Sequence, residues 1–157
     1  MRKLILLAAP LLILAAACSS GPQNSVTAAP GHGAVAIQIV PNPIVATRVS
    51  GDTYDFPFEV VVRETGGRPI RITRVSADIF GPAGIGLGNE SWDAARIESM
   101  GYGTSVNPHG ELRYRFAPRK SVPDERLFGS VEARLTVEAV DDTGTATSAN
   151  TRVTITR

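Results

Sequence analysis

The chain has 157 residues, 43% of them hydrophobic and 20% charged, with 16 basic residues, 15 acidic ones and a formal net charge of +1. That near-balance lacks the clustered basic surplus that a nucleic-acid partner requires. One cysteine excludes an intrachain disulfide and a multi-cysteine metal site, and the length suits one domain with a core of its own.

Arg2 and Lys3 give a positive start, Leu4 to Leu14 is apolar, and three alanines, Ala15 to Ala17, precede Cys18. These are the three parts of a secretory signal, and the apolar run is too short to span a bilayer. Ending on a cysteine, the segment resembles the signal peptide of a bacterial lipoprotein, with Ala15 where many such boxes carry Leu. The resemblance implies cleavage before Cys18 and acylation of its sulfur and new amine, so that the membrane is a partner through this lipid. Loss of Arg2 and Lys3 leaves 14 basic residues against 15 acidic. Ser19 after the anchor resembles lipoproteins sent to the outer membrane in bacteria with two membranes.

The expected organisation is a signal peptide over residues 1–17, a lipidated Cys18 with a flexible linker over 18–33, and a domain over 34–157. Residues 19–33 contain no Asp, Glu, Lys or Arg and are rich in Ser, Gly, Pro and Ala, which favours a tether. His32 lies within it between two glycines.

From Ala34 onward hydrophobic residues alternate with polar ones, and turn signals recur about every ten residues. Val35, Ile37 and Ile39 share a face until Pro41-Asn42-Pro43 interrupts, as at a sheet edge. Tyr54, Phe56, Phe58, Val60 and Val62 form the next core face, and Pro57 marks a bulge or the start of true pairing. After Thr65-Gly66-Gly67, Ile70 and Ile72 face one way, whereas Val75, Ala77 and Ile79 require a one-residue register change near Arg74. The Gly-rich stretch from Gly81 to Trp92 reads as a long connection. Asp93 to Ser99 is either a weak strand or a helical turn.

The pattern is clearer downstream. Leu112, Tyr114 and Phe116 alternate with charged residues, as do Val131 to Ala139 along the following strand. Asp141-Asp142-Thr143-Gly144 is a hairpin turn leading to Val153 and Ile155. The fold class expected is all-β: an antiparallel β-sandwich of about seven strands without a disulfide. Residues 34–157 resemble immunoglobulin-like and fibronectin type III-like domains in strand rhythm and final hairpin, without the Cys–Trp–Cys pin of antibody domains.

No catalytic set, cofactor motif or metal motif stands out. Gly81 to Gly88 lacks the βαβ context and Lys-Ser/Thr of a phosphate loop. His109, in Asn107-Pro108-His109-Gly110, has no visible triad partners. Asp141 and Asp142 read as a solvated turn. Trp92 either plugs one end of the core or stands out as a binding anchor. Arg113, Arg115, Arg119 and Lys120 form the densest basic cluster, with Asp124 and Glu125 close by to neutralise it. Together with Phe128, these residues make the candidate interaction surface.

The turns at 64–68, 101–110 and 141–144 should share one pole, and the connections 81–92 and 117–128 the other. A tether entering at the short-turn pole would turn that pole toward the membrane. The function expected is a lipid-anchored cell-envelope binding or scaffolding module without catalysis, with a protein partner in the envelope. The alternatives are an enzyme or accessory domain acting on wall glycans, and a small-ligand carrier or inhibitor using the long-loop pole.

Overall fold

The computed structural model describes residues 25–157; the leader and Cys18 lie outside the described residues. Period-two burial drives the architecture. Strands β1 (Ser25–Thr27), β2 (Val35–Val40), β3 (Ile44–Val45), β4 (Thr47–Ser50) and β5 (Thr53–Asp55) open the chain. They are followed by β6 (Phe58–Glu64), β7 (Ile70–Phe80), β8 (Gly86–Asp93), helix α1 (Ala94–Ser99) and β9 (Ser105–Val106). β10 (Glu111–Phe116), β11 (Arg119–Ser121), β12 (Val131–Asp141) and β13 (Ala146–Thr156) complete it.

One sheet runs β1-β13-β12-β7-β8, with β3 also on β13 and β9 also on β7. The second is β10-β6-β2, and a small third sheet is β11-β5-β4. Val60, Val62, Ile72, Val75, Tyr114, Leu135 and Val137 are completely sealed between the layers. The chain is therefore an all-β sandwich, as the alternation predicts.

Several sequence signals reappear as geometry. Prolines 41 and 43 lack the N–H that a ladder needs, so β2 leaves β6 there and the chain crosses layers to pair β3 in parallel with β13. Pairing of β6 begins at Phe58, directly after Pro57. The register change falls where Glu138 faces Arg74 and Ala139 faces Ile72, leaving Thr73 as the extra residue of a bulge. That bulge keeps Ile70, Ile72 and Val75 all inward.

Two expectations are corrected and one open alternative is settled. The segment 81–92 is not a long connection: Gly81 to Ile85 is a tight turn, and β8 pairs with β7 up to Asp93 opposite Arg74. Of the two readings of Asp93 to Ser99 the helical one holds, over Ala94–Ser99, because the Asp93 carboxylate accepts the Arg96 N–H (2.8 Å) as an N-cap. The linker is not free throughout. β1 lies on β13, and the Asp141 carboxylate accepts the Gly33 N–H (3.2 Å) and meets His32 Nδ1 (3.0 Å).

The expected sharing of turns holds: Ile70 lies opposite Asp141 and Val106, and Glu64 accepts from His109 in the 107–110 turn. The tether, however, meets the fold along the side of the sandwich, with Ser25 opposite Asn150, before running to that pole. Chain entry therefore does not fix which pole faces a membrane. β1 and β3 also cover separate stretches of the β13 edge that would otherwise present unpaired backbone.

Candidate functional site

At the short-turn pole, two buried carboxylates organise the chain. Glu64 accepts the backbone N–H groups of Gly66 (2.6 Å), Gly67 (2.9 Å), His109 (2.9 Å) and Ala34 (3.1 Å). Burial pushes its pKa up, but these four donors outweigh it and hold the group below its ordinary value. Gly66 has no room for a side chain, since an added Cβ would lie 2.2 Å from the His32 carbonyl oxygen.

Asp141 is buried, contrary to the solvated turn expected of it. The Thr143 hydroxyl (2.6 Å) first pulls its carboxyl well below the usual range, against burial, with help from the Thr145 and Gly33 N–H groups and His32. A histidine held by an aspartate invites a catalytic reading. The geometry opposes it, because the Thr143 hydroxyl and Asp141 both face Nδ1 of His32. In a nucleophile relay the hydroxyl would meet the other ring nitrogen. The arrangement staples the incoming chain to the fold. Among the described residues, no group of three or more His, Cys, Asp or Glu could hold a metal ion.

The opposite pole has a different character. There the sandwich opens into an apolar cleft of about 370 Å³, walled by Phe56, Ile79, Leu127, Phe128, Val131 and Ile155. A small hollow of about 30 Å³ lies beside it, sharing Phe56, Ile79, Lys120 and Ile155 with the cleft and bounded by Ala77, Ala133, Leu135 and Glu90. Leu87 from β8 and Val122 from the segment after β11 form the lip. The cleft exists because β11 and the 125–129 turn cover this end only in part. Among the described residues lining it, Lys120 alone is charged. Its ammonium pairs with Glu90 Oε2 at 2.7 Å, and Arg96 reaches the other oxygen of the same carboxylate at 3.3 Å. Lys120 is the first cause of the lowered Glu90 pKa.

The six predicted surface residues do not converge on one patch. Trp92 is buried, stacked on Phe116 with ring centroids 4.1 Å apart, and it plugs the core, as one of the two readings expected. Phe128 is buried too, edge-on to Tyr54 at 5.0 Å, so neither aromatic stands out as an exposed anchor. Arg113 and Arg115 lie on the outer face of the second sheet, both bonded to Glu59 (2.8 and 3.1 Å). Arg119 grips Asp55 with two hydrogen bonds, 2.7 and 3.0 Å long. The basic cluster is thus neutralised in place, by Glu59, Asp55 and Glu90, while Asp124 holds Arg126 instead.

The six meet only in pairs: Arg113 and Arg115 at Glu59, Trp92 and Arg119 at a separate shallow hollow, and Lys120 and Phe128 at the cleft. Phe56, Ile79, Leu87, Val122 and Leu127 were missed as site residues. Each reads in sequence as core or loop, and no spacing links them before the chain folds.

No protein-family model matches the chain, and no curated protein matches it either. Among solved structures it is similar to the X-ray structure of Northeast Structural Genomics Consortium target SoR45. That match has 12% identity and a TM-score of 0.55, over 82% of this chain and 90% of that one. It is also similar to the C-terminal domain of wzt (11% identity, TM-score 0.45, 88% and 80% covered). A third is the CARDB domain of a Pyrococcus furiosus protein (17% identity, TM-score 0.39, 80% and 96% covered). The likeness shows the fold alone.

Proposed function

We propose that the chain is a non-catalytic binding module, held at the bacterial cell envelope by lipid on Cys18, that receives an apolar group in the far-pole cleft. The observation that carries the binding half is the cleft itself. An apolar cavity of about 370 Å³ running into the sandwich is of the size that small-molecule sites take. The anchoring half rests on the leader and the single cysteine that ends it. A glycan-cleaving reading needs two carboxylates free to exchange protons, whereas Glu64 and Asp141 are each occupied by several donors from the fold.

The test has two parts. Cells given a radiolabelled fatty acid should mark the protein, and Cys18→Ser should abolish the label. Native mass spectrometry of the protein taken from its own membranes should retain a small apolar ligand, which Leu127→Glu should remove. Turnover of peptidoglycan fragments by the purified protein would overturn the non-catalytic reading.

A further inference from the structure

We infer that the cleft takes a single-chain fatty carboxylate, its tail lying along Phe56, Ile79 and Leu127 and its carboxylate meeting Lys120. The inference rests on the binding reading above and adds the chemistry of the ligand.

Three features carry it. The first is charge: among the described residues lining the cleft Lys120 is the one charged group, beside the polar Asn89 and Ser121, and the nearest anion, Glu90, borders the small hollow next to it rather than the cleft. An apolar tail with one negative charge complements that lining, and a neutral or cationic amphiphile does not. The second is availability. Among the described residues the Lys120 ammonium is engaged only by Glu90, and Glu90 still has Arg96 at 3.3 Å when Lys120 turns to a ligand. Neither the carboxylate nor the lysine is then left without a partner. The third is capacity. The cleft sits near the lower end of the volumes typical of ligand sites, room for one chain. A two-chain phospholipid exceeds it. One cation also matches a monovalent head better than a phosphate dianion.

The probes are octanoate, decanoate, decanol and decyltrimethylammonium, titrated calorimetrically into the whole chain carrying Cys18→Ser, so that no attached acyl chain competes. Decanoate should bind about tenfold more tightly than decanol, and the ammonium amphiphile most weakly. Affinity should rise about fourfold per methylene from octanoate to decanoate. Lys120→Met should remove the preference for the acid, bringing decanoate affinity to that of decanol on the same variant. Leu127→Glu should abolish binding of both, with circular dichroism checking that it folds; Val122→Trp, which fills the mouth, replaces it if it does not.

Equal affinity for acid and alcohol, or an acid preference that survives Lys120→Met, would overturn the fatty-carboxylate inference and leave an apolar cleft. Binding of none of the probes would overturn both the inference and the cleft as a site.

Discussion

Glu64 gathers four backbone N–H groups from two turns and the incoming chain onto one carboxylate, and its replacement shows what that does. Glu64→Gln keeps the shape but loses the charge and one acceptor, and should cost about 2 kcal/mol in urea unfolding at neutral pH. The sign with pH follows from the depressed folded pKa. The charged form is favoured in the fold, so this stability is complete above the unfolded value of about 4.3. It is lost as pH falls through the lower folded value. The wild-type urea midpoint should therefore drop between pH 6 and pH 3 by more than that of Glu64→Gln. Trp92 makes a different kind of contribution. It is 4% exposed and stacked on Phe116, so Trp92→Ala leaves a cavity and should cost about 3–5 kcal/mol. Ligand affinity at the cleft should be unchanged, because Trp92 is not among its lining residues.

At the scale of elements, the incoming chain is a strap with three fastenings: β1 on β13, Gly33 on Asp141, and Ala34 on Glu64. His32→Ala removes one side chain from the middle fastening and should raise amide hydrogen exchange at Gly33 and Thr27, while Val60 and Leu135 stay protected. If exchange at Thr27 is already at the unprotected rate in the wild type, the strap is not closed in solution. Strands buried on one face were legible, because their hydrophobic residues repeat every second position; the Thr73 bulge was too, as a broken repeat. β8 was not. Its face positions from Gly86 to Asn89 are all exposed, so it is a strand by pairing with β7 and carries no alternation to read. β1 escaped for a similar reason, being three residues whose strand state depends on β13 lying alongside. The cleft is less legible still: its walls come from six separate segments, and a cavity is a property of how they fail to meet.

For the whole molecule, two poles divide the work of the fold. One is closed by charge-assisted hydrogen bonds that fix chain entry, and the other is left partly open around apolar side chains. Stability across this body depends on burial and hydrogen bonding, since the only cysteine is Cys18. The melting temperature should accordingly be the same with and without reductant. A shift of several degrees on reduction would reveal an intermolecular disulfide through Cys18, and with it a thiol free of lipid.

The docking of residues 25–33 also sets a radius of action. Six residues, and so seven Cα-to-Cα steps, separate Cys18 from Ser25, a reach of no more than about 25 Å even when fully drawn out. If Cys18 carries the proposed lipid, a module moored so short cannot ferry cargo to a distant membrane. On that proposal, whatever enters or leaves its mouth would be exchanged with the anchoring leaflet, or with a visitor that comes alongside.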